Sequence, residues 1–412
     1  MRACLMTTST TVHQMGGTEV HAEALAAEAA RQGHEVFVVT AAHPSGLKEE
    51  TRDGCRVFYL PGTSHRMSRG DLAAWWRGSA AFTSALCAEK KIDVVWAENF
   101  SGLSYAALPR RQRRPVISVV NGMGFRGEVA SNFNRVSSPG ELLYFLTRYA
   151  AQALFYYRPW FKAMARDSDL LVGVSRESAA AMRQEFPVCR DKTITILNGI
   201  DTALFRPDLE LRRSGRAALG LKESDTVVLM AGVLHKQKGV HLGLRAFAGA
   251  AAGLPQTRLV VAGDGPQLHE LLALSGRLGL SRRAVFCGKK NNAEMPAIYN
   301  AADIFLNPTL RMEGISLVML EAAACGLPML ASSIGGTPSA MDEGKGGFFT
   351  EPGDLPAITR KLAELLNNSE LRARLSKGAR HKAEKSFDIR ETLKEYVAAS
   401  AALLREDPQR LP

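Results

Sequence analysis

The feature that most constrains the fold of this chain is a regular alternation of short apolar runs with longer Ala- and Leu-rich segments. The runs predict strands of five to seven residues at 3–7, 35–40, 55–60, 92–97, 115–120 and 170–175, then at 226–232, 258–263, 284–288, 303–308 and 328–332. Continuous apolar strands separated by helices are typical of parallel sheets covered by helices on both faces. Two such series in 412 residues predict an α/β fold of two doubly wound domains.

The joint between the two predicted domains lies near residues 198–207, where the segment TITILNGID ends a strand and leads to LFRP. We therefore predict a first domain at 1–200, a second domain at 201–385 and a charged helical segment at 386–412. Ligands of open parallel sheets bind beyond the carboxyl ends of the strands, so two such domains in series predict a cleft between them.

Several classes of protein are excluded by simple patterns. No run of eighteen apolar residues occurs, which excludes a membrane-spanning helix. The first residues have neither a sustained apolar core nor a small-residue cleavage site, so we expect no signal peptide and a cytoplasmic protein. Six scattered cysteines without a C-x-x-C pair argue against a zinc site and against a disulfide framework. We expect no metal site and no cofactor.

The net charge of +11 is unevenly distributed. Segment 110–166 contains only two acids, Glu128 and Glu141, against ten cations: Arg110, Arg111, Arg113, Arg114, Arg126, Arg135, Arg148, Arg158, Lys162 and Arg166. Such a segment suits an anionic partner, namely phosphate, nucleic acid or an acidic membrane face, or it is simply a solvated basic surface. Within it, residues 141–166 interleave aromatic side chains and cations, which fits either an anionic lipid surface or an ordinary amphipathic core helix.

Two strand–helix turns carry residues suited to phosphate. Gly16 and Gly17 follow the first predicted strand and open a helix, where free backbone amides favour an anion, although glycines of an ordinary tight turn look the same. In the second half, Lys236 and Lys238 precede Gly239 and a helix, a natural position for a diphosphate partner. Gly288, followed by two lysines after a later strand, is predicted to lie near a nucleobase.

Two other patterns are interpreted as decoys. Residues 122–127 fit G-x-G-x-x-G, but they follow a late strand rather than the first, which argues against a nicotinamide or flavin site. Residues 167–169 form a D-x-D pattern that precedes a strand instead of following one, so it points away from the expected ligand-binding edge.

The segment MEGISLVMLEAAACGLPML, residues 312–330, is apolar except for Glu313 and Glu321. We predict a helix over 315–326, with Glu313 in the preceding loop or first turn. Eight residues of helix separate two carboxylates by roughly 12 Å and about 80° in direction, so both would face one cleft. The alternative is a capping glutamate and a salt-bridged one, which a largely buried helix disfavours.

Six segments together resemble the GT4 family of retaining glycosyltransferases, which have the GT-B fold of two Rossmann-like domains facing each other across a cleft. EGISLVMLEAAACGLPMLAS resembles that family's E-x7-E signature. The segments 16–40, 196–207, 231–239, 260–266 and 301–314 follow the family's order and spacing. The likeness extends over most of the chain.

The resemblance implies a nucleotide-diphosphate sugar held mostly by the second domain, with Glu321 on the ribose hydroxyls and Glu313 on the sugar hydroxyls. The backbone of Ile315, Ser316 and Leu317 would assist Glu313. The family uses no catalytic metal, retains anomeric configuration and commonly packs its C-terminal helix on the first domain.

Further roles implied by the resemblance concern the diphosphate and the acceptor. Lys238 would neutralise the diphosphate, and Gly16 and Gly17 would approach it from the first domain. Asn121 stands where the family often has a histidine, and it can hydrogen-bond a hydroxyl but cannot act as a base. Val233 stands where the family usually has an arginine. Glu313, Lys238 and Asn121 are the predicted catalytic residues.

The sequence therefore predicts a metal-independent retaining glycosyltransferase with a glycan or lipid-linked acceptor, working at the inner face of the plasma membrane and without a nucleic-acid partner. Two alternatives stay open. One is a phosphorylase or a nucleotide-sugar epimerase on the same scaffold, and the other is a weakly active or inactive subunit that only binds a sugar nucleotide.

Overall fold

A computed structural model describes residues 1–66, 68–133, 136 and 138–405. The described residues form two compact units. Unit 1 consists of Met1–Val129, Ser138–Gly199 and the chain from Ile389 onward. Unit 2 consists of Ile200–Asp388 together with a short segment that begins at Ala130. Arg135, one of the ten cations counted above, and the last seven residues of the predicted C-terminal segment lie outside the described residues.

Unit 1 is built on a sheet of eight strands in the order β3-β4-β2-β1-β5-β6-β7-β8. Every neighbouring pair is parallel except β3 with β4, which is antiparallel. Its strands are β1 (Arg2–Met6), β2 (Glu35–Ala41), β3 (Glu49–Arg52), β4 (Cys55–Leu60), β5 (Val94–Glu98), β6 (Val116–Val120), β7 (Leu170–Gly173) and β8 (Thr193–Thr195).

The helices of the first half cover this sheet. They are α1 (Gly17–Arg31), α2 (Arg69–Lys90), α3 (Leu103–Ala106), α4 (Gly124–Phe133), α5 (Pro139–Tyr144), α6 (Ala150–Gln152), α7 (Arg158–Asp167) and α8 (Arg176–Glu185). Two π-helical turns, Phe145–Tyr149 and Ala153–Tyr157, join α5, α6 and α7 into one helical stretch over 139–167. A buried cluster that includes Val39, Trp75 and Val95 packs on one face of the sheet.

Unit 2 is built on six parallel strands in the order β11-β10-β9-β12-β13-β14. The strands are β9 (Thr226–Ala231), β10 (Thr257–Ala262), β11 (Ala284–Gly288), β12 (Ile304–Asn307), β13 (Met329–Ser332) and β14 (Gly347–Thr350). The helices are α9 (Leu209–Ala218), α10 (Val240–Ala250), α11 (Leu268–Arg277), α12 (Met295–Ala301), α13 (Leu317–Ala324), α14 (Thr337–Ala340), α15 (Leu355–Asn367) and α16 (Ser369–Ser386). Its core includes Phe247, Leu306 and Leu362.

The last helix, α17 (Ile389–Arg405), belongs to unit 1. Trp96 on β5 donates its Nε1 hydrogen to Ser400 Oγ at 3.1 Å, and its ring packs against Tyr396 with the centroids 5.5 Å apart. The chain therefore returns to unit 1 after Asp388, three residues beyond the predicted limit of the second domain. One boundary within α4 was not predicted, since the residues from Ala130 group with unit 2.

The predicted α/β class with two largely parallel sheets is confirmed, and each of the eleven predicted strands is present. Strands β3 and β14 were not predicted. They lie at sheet edges, and the alternation of exposed and half-buried residues in β3, EETR, lacks the apolar run that marks a central strand. Among the described residues, no helix combines the length and the apolar character needed to cross a bilayer.

Candidate active site

The carboxyl ends of β9 and β12 are held together by a glycine that no other residue can replace without displacing backbone. Gly239 follows one turn of 3-10 helix, Lys236–Lys238, and has a φ of 68°. A Cβ atom on Gly239 would lie 1.9 Å from the carbonyl oxygen of Pro308. The turn that carries Lys238 is therefore packed directly on the loop that follows β12.

Lys238 and Glu313 form a two-pronged ion pair in unit 2. Lys238 Nζ donates to both carboxylate oxygens of Glu313 at 2.8 Å, and the side chains are 16% and 17% exposed. Burial raises the pKa of the Glu313 carboxyl. The charges of Lys238 and Arg311, with a Ser316 hydroxyl hydrogen bond, outweigh burial, so its pKa lies below its ordinary value.

The backbone around Glu313 is fixed by the loop after β13 and by the start of unit 2. Gly336 donates its N–H to the Glu313 carbonyl oxygen at 2.8 Å. Gly335 has a φ of 57°, and a Cβ there would lie 2.5 Å from that same oxygen. Ser131 Oγ donates to the Met312 carbonyl at 3.0 Å and accepts the Met312 N–H at 3.1 Å. Sequence reasoning missed all of these partners.

Glu313 lies in a loop, four residues before α13 begins at Leu317. Glu313 therefore occupies the preceding loop, one of its two predicted positions, and the separation of about 12 Å and 80°, which was calculated for eight residues of continuous helix, does not apply to residues 313–316. Ser316 is the N-cap of α13, and its side chain makes no capping hydrogen bond to the helix. The predicted position of the Ile315, Ser316 and Leu317 amides at a helix N-terminus agrees with this geometry.

Glu321 lies within α13 and is 6% exposed. Tyr299 on α12 donates its hydroxyl to Glu321 Oε2 at 2.6 Å. Burial raises the pKa of Glu321 to about 7, and this hydrogen bond opposes the rise. Tyr299 precedes Glu321 by 22 residues, and no local pattern in the sequence identifies it as a partner.

Two predicted substrate-binding residues lie on other parts of unit 2. Lys236 lines a groove of about 200 Å³ between α10 and α11 with His241 and Arg245, rather than reaching Glu313 as Lys238 does. Gly288 ends β11 with a φ of 71°, and its carbonyl oxygen accepts the Gly263 N–H at 2.9 Å. Their roles toward a donor stay predictions.

In unit 1, the Gly16–Gly17 turn begins α1 and encloses a carboxylate. Glu19, 5% exposed, accepts hydrogen bonds from Ser9 Oγ at 2.5 Å and Gln14 Nε2 at 2.8 Å. A Cβ on Gly16 would lie 2.5 Å from Glu19 Oε2, so a larger residue there would require the Glu19 carboxylate to shift. A second reason for this glycine, close approach of a phosphate, stays a prediction.

Asn121 follows β6 and is held by two residues that follow or end β5. Its backbone N–H donates to Asn99 Oδ1 at 3.1 Å, and its side-chain Nδ2 donates to Glu98 Oε2 at 2.5 Å. Asn99 has a φ of 50°, a left-handed conformation that asparagine tolerates better than most residues. The side chain of Asn121 is therefore oriented by the protein.

Both decoy patterns have structural roles. The amides of Phe125 and Arg126, at the start of α4, donate to the Glu185 carboxylate at 2.9 and 3.1 Å, so a protein carboxylate occupies the anion-binding end of that helix. Asp169 accepts the Val116 N–H at 2.8 Å and pairs with Arg113 and Arg110. Within the described ranges, no group of three His, Cys, Asp or Glu side chains is arranged to hold a metal ion.

Two family models match consecutive parts of the chain. Residues 15–204 match the model described as Glycosyltransferase Family 4, and residues 212–382 match the model described as Glycosyl transferases group 1. Together the two models extend over both units.

The chain is similar to characterised proteins and to solved structures. It is 30% identical over 231 residues to the GDP-mannose-dependent alpha-(1-6)-phosphatidylinositol monomannoside mannosyltransferase of Mycolicibacterium smegmatis, a match that spans 54% of this chain and 60% of that protein. It is 27% identical over 421 residues to glycogen synthase of Mycobacterium tuberculosis, spanning 97% and 94% of the two chains. The crystal structure of Anabaena Alr3699/HepE in complex with UDP superposes with a TM-score of 0.75 at 21% identity, over 98% of this chain and all of that one. The fold class is therefore GT-B, as predicted.

Proposed function

We propose, from the premise that the chain belongs to the GT4-type family of glycosyltransferases, that it moves a sugar from a nucleotide-diphosphate donor to an acceptor hydroxyl with retention of configuration. The observation that carries this proposal is the paired Lys238 and Glu313 beside the start of α13, with Glu321 buried further along the same helix. A cation, a hydroxyl-binding carboxylate and free backbone amides are the groups that such a donor requires.

The donor is held by unit 2 in this proposal. Its diphosphate competes with Glu313 for Lys238 Nζ, which frees the Glu313 carboxylate to accept hydrogen bonds from the sugar hydroxyls. The first amides of α13, near Ile315 and Leu317, donate to the phosphate oxygens. Glu321 accepts the ribose hydroxyls, and Tyr299 holds it in place.

The chemical step forms a bond between the acceptor oxygen and the anomeric carbon on the face from which the nucleotide diphosphate departs. The bond from that carbon to the diphosphate oxygen breaks, and its electron pair leaves with the nucleotide. The departing phosphate oxygen takes the proton of the acceptor hydroxyl. Lys238 and the helix amides stabilise the charge that grows on the leaving group, so the proposal requires no metal.

Arg311 is proposed to replace the arginine that is absent at Val233. Val233 is 49% exposed, whereas Arg311 lies near enough to Glu313 for its charge to lower that carboxyl's pKa. Arg311→Ala is expected to slow transfer about tenfold or more, and Val233→Arg in that background is expected to recover part of the loss. If the Arg311→Ala variant transfers sugar at the wild-type rate, a residue other than Arg311 replaces the arginine that is absent at Val233.

A thermal-shift screen of nucleotide sugars identifies the donor, since a ligand bound only by the folded protein raises Tm. The names of the similar proteins include GDP-mannose and UDP, so the screen includes guanosine- and uridine-diphosphate sugars. Adenosine-diphosphate sugars are added as a third class of donor. Nucleotide release is then measured with monosaccharides, inositol and phosphatidylinositol vesicles as acceptors, with and without EDTA.

The site is tested with two variants and one matched control. Glu321→Ala is expected to weaken donor binding, and Lys238→Ala to slow transfer more than binding. Lys361→Ala, which removes a partly exposed lysine of α15 that pairs with Glu364 at 3.0 Å, is expected to change neither. Wild-type kinetics in both site variants would refute the site.

The same assay separates the alternatives. Donor consumption that requires inorganic phosphate indicates a phosphorylase, and conversion of the donor sugar without an acceptor indicates an epimerase. Donor binding without nucleotide release for any acceptor indicates a binding subunit.

We also propose that the acceptor is reached at an anionic membrane surface. Six large apolar side chains on the stretch 139–167 of unit 1 are exposed by 38–68%: Leu142, Leu143, Tyr144, Leu146, Leu154 and Phe155. The exposed cations Arg148, Arg158 and Lys162 lie on the same stretch. Apolar side chains beside cations on one helix fit the boundary between lipid headgroups and acyl chains. Arg113, one of the ten cations of segment 110–166, forms an ion pair with Asp169 and has a buried side chain, so it does not add to the exposed positive charge of this surface.

Vesicle flotation tests this surface without any donor. Binding to vesicles that contain phosphatidylglycerol is expected at low salt, with weaker binding to phosphatidylcholine alone. Leu143→Ser with Leu146→Ser is expected to reduce binding at least about tenfold, whereas Leu209→Ser, which removes a 71% exposed leucine of unit 2, is expected to leave it unchanged. Absence of flotation at low salt would refute the membrane proposal.

A further inference from the structure

A buried carboxyl group in unit 1 is not used by the reaction described above. Glu98 ends β5 and is 3% exposed. Its Oε2 accepts the hydrogen bond from Asn121 Nδ2, while its Oε1 is buried and has no hydrogen-bond partner among the described residues. A buried carboxyl with one unused oxygen costs free energy, so its presence calls for a function.

The arrangement fixes which end of the Asn121 amide faces away from Glu98. Its Nδ2 group donates one hydrogen to Glu98, and its backbone N–H donates to Asn99. Its side chain is half-buried, and Oδ1 accepts no hydrogen bond within the described part of the chain. The amide therefore presents Oδ1 away from Glu98, and this oxygen is a hydrogen-bond acceptor suited to the hydrogen of a hydroxyl group, while the second Nδ2 hydrogen stays available beside it.

We propose that Glu98 is a positioning residue for the acceptor, which orients Asn121 so that Oδ1 receives the hydrogen bond of the acceptor hydroxyl. The inference rests on the proposed transfer reaction and adds a residue to it. It also explains how an asparagine serves at this position, since orienting a hydroxyl requires an acceptor atom but no base.

The environment of Glu98 makes this role dependent on pH. Burial raises the pKa of Glu98 to about 7; the hydrogen bond from Asn121 opposes that rise and the Glu19 charge on α1 adds to it. The buried Tyr396 on α17 interacts with the Glu98 charge and has a pKa well above its ordinary value, and burial lowers the pKa of His21, also on α1, to about 4. His21 and Tyr396 are therefore neutral near pH 7, and the local charge is set by the two carboxyl groups.

The direction of the pH effect follows from hydrogen-bond chemistry. Above its pKa the Glu98 carboxylate only accepts hydrogen bonds, so only the Nδ2 end of Asn121 can face it. Below its pKa the protonated carboxyl can also donate to Oδ1, so the reversed amide is tolerated and the acceptor loses its partner. KM for the acceptor is expected to fall as pH rises through about 7.

Glu98→Gln tests the inference, because an amide at this position accepts or donates equally well and has no charge. With the panel acceptor that gives the fastest nucleotide release, KM is expected to rise about 5- to 20-fold and to lose its dependence on pH. The donor dissociation constant is expected to stay near the wild-type value. Asn121→Ala is expected to raise KM similarly, and the double variant no further, because both residues act through one hydrogen bond.

Glu19→Gln is the second measurement. Removing the neighbouring charge is expected to move the inflection of the KM profile to lower pH while the shape is kept. If the wild-type protein transfers sugar and Glu98→Gln keeps the wild-type KM and pH profile, the inference is overturned and the proposed function stands. A loss of donor affinity equal to the loss of acceptor affinity overturns it in favour of a structural role. A wild-type protein that transfers to no acceptor overturns both.

Discussion

Replacing Tyr299 by Phe removes one hydroxyl from unit 2 and leaves an aromatic ring of nearly the same shape. Tyr299 is fully buried, and its hydroxyl donates to Glu321 Oε2 at 2.6 Å. The variant therefore isolates the free energy of leaving a buried carboxyl without that donor.

The magnitude depends on pH because the partner titrates. The folded pKa of Glu321 is about 7 against an ordinary 4.5, so the folded protein binds the proton more tightly than the unfolded chain does. The contribution of Glu321 to stability is fully present below about pH 4.5 and is lost as pH rises through about 7, a change of about 3 kcal/mol. A hydrogen bond to a neutral carboxyl contributes about 1 kcal/mol, and one to a carboxylate about 2 to 3 kcal/mol.

Urea denaturation at about pH 5.5 and about pH 8 measures the difference. Tyr299→Phe is expected to lower the free energy of unfolding by about 1 kcal/mol at the lower pH and about 2 to 3 kcal/mol at the higher. Tyr396→Phe is the matched control, since Tyr396 is equally buried but its hydroxyl has no hydrogen-bond partner among the described residues. Equal losses at the two pH values, or an equal loss in the control, would refute the reasoning.

Three further predictions concern unit 2. Lys238→Met is expected to lower the free energy of unfolding by about 2 to 4 kcal/mol, because it leaves the Glu313 carboxylate without its cation. Glu313→Gln in that background is expected to restore part of the loss, and a double-mutant cycle by urea denaturation measures both. Donor affinity, measured by calorimetry with the nucleotide sugar, is expected to rise with pH through about 7 as Glu321 ionises and accepts ribose hydroxyls better; a Glu321→Gln variant with the same pH dependence would contradict this. Gly335→Ala is expected to weaken donor binding, because its Cβ would lie 2.5 Å from the Glu313 carbonyl oxygen. Gly344→Ala is the control, since Gly344 has a φ of 73° and open space around its Cβ. It is expected to lower stability by about 1 kcal/mol and to leave donor affinity unchanged.

The central strands and several site residues could be predicted from the sequence because their causes are local. A strand buried on both faces of a parallel sheet needs a nearly unbroken apolar run, such as VVWA in β5 and IFL in β12, and such runs can be recognised in the sequence. The turn before α10 is equally local, since Gly239 must adopt a left-handed conformation directly after Lys238. The same reasoning missed the edge strands β3 and β14, where pairing with one neighbour suffices and no apolar run is required.

The partners of the predicted residues were decided by the tertiary structure alone. The sequence identified Glu313, Glu321 and Lys238 as unusual, but Tyr299, Gly335 and Ser131 reach them from other loops and helices. It left Glu313 in the loop or the first turn of the helix, and the backbone contacts that hold Glu313 in the loop arise only from packing. Residue type and local periodicity determined which groups this chain has for binding and catalysis. Packing of distant segments determined which are ionised, which are oriented and which are buried, because those properties depend on neighbours that the sequence brings together only when the chain is folded.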